Sequence, residues 1–159
     1  MRMILPGLRE RRAVDRLLTS FFRIYRLPDF QRAICMMSRF FNLRGPRVDW
    51  FEYIDWGKTA GRTYENGKIH LVHPENWKNG RKYYSERQWV QTVYHEMGHY
   101  VLWSDAERKA DAFAYRFVRG ISPNGNGREH RRQAGSRMRR KAALRQLRSR
   151  PHRRRSRSR

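Results

Sequence analysis

The chain is 159 residues long, with 37 Lys and Arg against 14 Asp and Glu, a formal net charge of +23 and a single Cys. That length allows one modest hydrophobic core, and one Cys excludes an internal disulfide. The charge points to polyanionic company. It is unevenly spread: residues 1–47 carry a net of +8, residues 48–127 only +1, and residues 128–159 a net of +14 from 15 basic residues and one acidic residue. A nearly neutral centre thus lies between two basic arms, which divides the chain into a basic helical segment (1–47), a core (48–121) and a tail (122–159).

The first arm reads as two helices. Leu8, Val14, Leu17, Leu18, Phe21, Phe22 and Tyr25 recur on one face, and Pro28-Asp29 opens a second helix running to Phe41. Their apolar runs are short and broken by Arg, which predicts neither a membrane span nor a secretory leader, and so a cytoplasmic or nucleoid-associated protein (nuclear in a nucleated cell). The aromatic-rich face, with Phe40 and Phe41, is expected to be core covering a sheet, and Cys35, inside an apolar run, a buried thiol.

Strands follow. Val48 to Ile54 alternates, and Glu65-Asn66-Gly67-Lys68 is a hairpin turn joining Arg62-Thr63-Tyr64 to Ile69-His70-Leu71-Val72, stopped by Pro74. About three antiparallel strands are expected. Ile69 to Val72 is expected to be an exposed edge on which a peptide substrate adds as a further strand. His70 and His73 read as ordinary strand and turn residues.

A capping pair, Ser85 and Gln88, opens the next helix, with Trp89, Val90, Val93, Met97, Tyr100 and Val101 on its apolar stripe. This helix carries His95-Glu96-Met97-Gly98-His99. Two His four residues apart share a helix face and reach one ion, with a Glu beside them. A catalytic zinc takes three protein ligands and keeps one position for water, whose proton a neighbouring carboxylate removes. His95 and His99 are therefore expected to bind Zn2+ and Glu96 to act as general base. Gly98 in a helix interior costs about 1 kcal/mol, which a close backbone approach would justify.

Ser104 and Asp105 end that helix in a turn, and Ala106 to Val118 forms another, with Glu107 and Asp111 on one face. Folded back, Glu107 completes the zinc set and Asp111 holds a ligand imidazole in its tautomer. Ser104-x-x-Glu107 also reads as a capping box, which would employ Glu107 otherwise. Asp105, Asp111, His70 and His73 stand in reserve as ligands. Tyr64, Tyr94 and Tyr100 are the oxyanion candidates.

The run HEMGHYVLWSDAERKADAFA resembles the His-Glu-x-x-His plus Glu-x-x-Ala-Asp/Asn-x-Phe-Ala pattern of small gluzincin peptidases, particularly the ImmA/IrrE-like group, and GRTYENGKIHLVHP resembles the strand preceding the active helix there and in SprT-like minimal zincins. The resemblance covers roughly residues 57 to 118. It implies zinc on His95, His99 and Glu107, with Glu96 as base. SprT-like proteins use a third His downstream, and none follows His99 before His130.

From Ser122 the chain turns to linker composition and then to Arg, ending RRRSRSR. Such a segment cannot bury enough surface to fold, and disorder is expected, with Lys141 to Leu147 forming a transient helix on a polyanion. Arg-rich tails bind phosphate backbones by counterion release, so DNA or RNA is the partner expected through residues 128–159. A solubilising or address segment, or an anionic membrane surface, are the other uses of such charge. The whole predicts an α+β minimal-zincin-like domain acting as a zinc metallopeptidase beside nucleic acid. The alternative is a nucleic-acid-binding structural or packaging protein with a zinc site that cuts nothing.

Overall fold

The structure, a computed structural model, describes residues 3–54, 60–79 and 85–121. The expectations for the tail, including the Lys141–Leu147 helix and the nucleic-acid contact, lie outside the described residues. In chain order the elements are α1 (Leu8–Ile24), α2 (Leu27–Phe40), β1 (Arg47–Phe51), β2 (Gly61–Thr63), β3 (Lys68–Val72), α3 (Pro74–Asn79), α4 (Glu86–Leu102) and α5 (Glu107–Val118). The class is α+β.

α1 buries Val14, Leu18, Phe21 and Phe22, and α2 buries Phe30, Ala33, Ile34 and Met37. Phe21 and Phe30 meet at 5.1 Å between ring centroids, and both face Trp89 of α4, at 5.8 and 6.3 Å. Each such side chain contributes about 1.5–3 kcal/mol on burial, so this aromatic junction is the main tie between the N-terminal arm and α4. Two expectations for this arm are corrected. Cys35 is exposed, because α2 turns Ile34 inward and the next residue lies about 100° further round the helix. Phe40 remains 40% exposed and stacks edge-on against Phe41, which alone of the two packs on the core, against Phe113.

The sheet is mixed rather than antiparallel. Its order is β1-β3-β2, with β2 antiparallel and β1 parallel to β3. The hairpin itself forms as expected: Gly67 takes φ +78°, and the Tyr64 N–H bonds the Lys68 carbonyl at 2.9 Å. β1 then lies along the other side of β3, pairing Val48 with Ile69 and Trp50 with Leu71 so that all four apolar side chains share one face. The connection from β1 to β3, 16 residues that include β2, has the length of chain that a parallel pair requires. Ile69, His70, Leu71 and Val72 are therefore the centre of the sheet and not its edge. Their backbone groups are committed on both sides, and among the described strands the outer position next to α4 belongs to β2.

α4 begins at an N-cap, with the Gln88 N–H donating to the Ser85 hydroxyl, and ends at Trp103 in the left-handed region (φ 45°). The Trp89 indole N–H bonds the Val72 carbonyl at 3.0 Å, which fixes the helix across β3. α4 and α5 form an antiparallel hairpin at very short range. A Cβ on Gly98 would stand 3.0 Å from the Ala110 Cα and 3.1 Å from the Phe113 Cβ, so here the glycine is required by the approaching backbone. Gly98→Ala is expected to destabilise the domain by on the order of 1–2 kcal/mol, overpacking outweighing the helix-propensity gain. A thermal melt checks it: a raised melting temperature would mean that the helices have room to spare.

Arg11 of α1 closes the other end of α5. Its guanidinium donates to the carbonyls of Arg116, Phe117 and Arg119 at 3.1, 2.9 and 2.7 Å, satisfying the helix C-terminus with a cation.

Candidate metal centre

Three side chains that the sequence singled out come together where α4 meets the start of α5. The Nε2 atoms of His95 and His99 lie 3.1 Å apart. The Glu107 carboxylate faces both, Oε2 at 3.0 Å from His95 and Oε1 at 3.5 Å from His99. Among the described residues this trio is the cluster of His, Cys, Asp and Glu able to hold a metal ion. The alternative use of Glu107 as a capping residue does not occur: the N-cap is Ala106, whose N–H bonds the Ser104 hydroxyl.

The other ring nitrogens fix the tautomers. His99 Nδ1 lies 2.7 Å from the Ser104 carbonyl, which can only accept, and His95 Nδ1 lies 2.9 Å from Asp111 Oδ1. Both Nδ1 atoms therefore carry protons, and in the neutral rings both Nε2 lone pairs point into the space that Glu107 faces. Electron pairs from three groups converge with no donor among them. One proton on one ring relieves part of that arrangement; a cation coordinated by all three relieves all of it.

Glu96 is only 5% exposed, between α4 and β2. Burial, with the Glu107 charge adding to it, pushes its carboxyl above the ordinary glutamate range against the opposing pull of the Thr63 hydrogen bond. The Thr63 hydroxyl stands 2.7 Å from Glu96 Oε2 and 3.1 Å from the Glu96 carbonyl oxygen. Gly61 passes directly over the same side chain, where a Cβ would stand 2.7 Å from Glu96 Cγ. Neither Gly61 nor Thr63 was marked by its sequence surroundings. Their role follows from β2 lying across α4, and only the Gly at the start of a strand hinted at a close approach.

His95, Glu96, His99, Glu107 and Asp111 all line one open cavity of about 1000 Å³, with Gly61 to Thr63 along one wall and Tyr115 among the lining residues of α5. The reserve ligands divide. Asp105 lines this cavity, whereas His70 lies on the sheet between Phe51 and Tyr64, and His73 among Phe21, Tyr25 and Trp50. Two of the oxyanion candidates are committed elsewhere. The Tyr94 hydroxyl is buried and donates to Asp15, which with burial holds its pKa above the usual phenol range, and the Tyr100 hydroxyl donates to the Arg44 carbonyl. Tyr64 stacks on His70.

Among the described residues, no helix is long and apolar enough to cross a membrane. No protein-family model, curated protein or solved structure matches the chain.

Proposed function

We propose that the chain is a zinc-dependent peptidase of the gluzincin type, with His95, His99 and Glu107 as ligands and Glu96 as general base. The observation that carries this is the convergence of two tautomer-fixed Nε2 atoms and one carboxylate at separations of 3.0, 3.1 and 3.5 Å. Ligand atoms about 2.0–2.1 Å from a tetrahedral zinc stand roughly 3.3 Å from one another; with one atom from each residue the three donors lie within 4.8 Å of one another, so rotation of the exposed Glu107 side chain closes the set on the ion. Three ligands beside an open cavity favour a catalytic over a structural site, since structural zinc is closed by four.

When bound, zinc supplies a positive charge that polarises the scissile carbonyl and acidifies water. The chain's own residues do the rest. Glu96 takes a proton from the attacking water and returns it to the amine nitrogen as the C–N bond breaks, held in place throughout by the Thr63 hydroxyl. The outer edge of the described sheet at β2, rather than β3, is the edge that accepts an extended substrate, main chain to main chain. Asp111 keeps the His95 lone pair on Nε2. Asp111→Ala is expected to weaken zinc binding about 10–100-fold, as read by competition with a chromogenic chelator; unchanged affinity would leave Asp111 without this role.

The tail's net charge of +14 supports a second element of the proposal, that the peptidase works held against nucleic acid. The test of the whole is elemental analysis of the purified full chain together with casein hydrolysis. About one zinc per chain and chelator-sensitive cleavage are expected; a zinc-free wild type sinks the proposal.

A further inference from the structure

A second, smaller cavity of about 290 Å³ lies at the other end of the hairpin turn, lined among others by Arg44, Arg47, Asn66, Lys68, Tyr100 and Trp103. Its chemistry differs from that of the metal centre. Three cations meet one carboxylate: Arg47 and Lys68 share Asp49, at 3.3 and 3.1 Å, and Arg44 adds a third positive charge. The Arg44 backbone is fixed, since its carbonyl accepts from the Tyr100 hydroxyl at 2.6 Å.

The aromatic wall is unusual. Trp103 is 61% exposed and sits at φ 45°, where a bulky side chain is strained. It rests on Tyr100, ring centroids 5.6 Å apart, and the turn presses close: a Cβ on Gly67 would stand 3.2 Å from the Tyr100 ring and 3.7 Å from the Trp103 ring. The indole is thus supported on one side and open to solvent over most of its surface, beside surplus positive charge. A hydrophobic partner would leave the positive charge in excess of Asp49 unmatched, and a bare phosphate would leave the indole unused. A ligand carrying a planar aromatic base and a phosphate uses both. Base faces are hidden inside a duplex, so stacking requires an unpaired strand.

We propose that this cavity is a single-stranded nucleic acid subsite, in which Trp103 stacks one base while Arg44, Arg47 and Lys68 take the flanking phosphates. It stands independently of the peptidase proposal and of the tail, whose attraction for polyanions is indifferent to bases.

That difference defines the experiment. The full-length chain is titrated, at matched salt, with a fluorescent oligo(dT) strand and with an abasic strand of equal length and charge. The tail binds both alike. Wild type is expected to prefer the strand with bases by about ten-fold, the worth of one stacked base. Trp103→Ala should bring the ratio to about one with little change in abasic binding, Trp103→Phe should restore most of it, and Arg44→Ala should weaken both strands together. Circular dichroism and a thermal melt verify that each variant is folded. A wild-type ratio near one, or a Trp103→Ala protein that keeps the preference, overturns the proposal. Competition by thymidine monophosphate at the same concentration as the strand overturns the strand as occupant.

Discussion

Glu96→Gln is expected to lower kcat for peptide hydrolysis by about 10²–10⁴-fold while leaving zinc content and fold intact. The substitution is close to isosteric, and the Gln carbonyl oxygen still accepts the Thr63 hydroxyl that now reaches Oε2 at 2.7 Å. What disappears is the ability to accept a proton. Because Glu96 is 5% exposed and burial disfavours its charge, a neutral amide relieves desolvation, so the melting temperature is expected to hold or rise. A group retained for the fold behaves otherwise: its loss would lower stability and activity together. Casein cleavage, elemental analysis and a thermal melt on the same preparation separate the cases. Cleavage at the wild-type rate would remove Glu96 from the chemistry, and loss of zinc together with cleavage would reassign it to structure.

The local elements were legible where one residue type has one physical use. The helix N-cap at Ser85, the Asn66-Gly67 turn and the obligate glycine at 98 all follow from backbone requirements that few other residues meet, and all three occur where the sequence placed them. The approach of His95, His99 and Glu107 was legible because a helical offset of four and a folded-back helix leave little freedom. The sheet was not, because strand direction depends on a crossover rather than on any residue in the strand: Val48 and Trp50 suit a parallel or an antiparallel neighbour equally. The same error misplaced the substrate edge, since β3 becomes central once β1 pairs with its outer side. Cys35 shows the limit of composition, for an apolar run on a helix still exposes the residues facing away from the core. Thr63, Gly61 and Asp15 act across 33 to 79 residues of chain, and no local pattern announces them.

Glu107→Ala is expected to have the largest effect on metal and almost none on the metal-free fold. The Glu107 side chain is 74% exposed, so truncating it removes little packing, and the metal-free variant should match the metal-free wild type within about 0.5 kcal/mol. With zinc the two should diverge. A ligand that binds only the folded state stabilises it by about 4 kcal/mol at a thousand-fold excess over Kd, which for a domain of this size raises the melting temperature on the order of 10 °C. A strong chelator should therefore lower the wild-type melt by that amount and leave Glu107→Ala unmoved. The comparison also separates coordination from simple ion pairing, because a Glu107 carboxylate paired only with protonated imidazoles would contribute the same with or without chelator. Loss of the chelator response on changing Glu107 would establish it as a ligand. Persistence of the full response would move the third ligand to Asp105 or Asp111, the other carboxylates of the cavity on this side of α4, and a wild type indifferent to chelator would leave the two imidazoles and the carboxylate as a proton-sharing cluster rather than a metal centre.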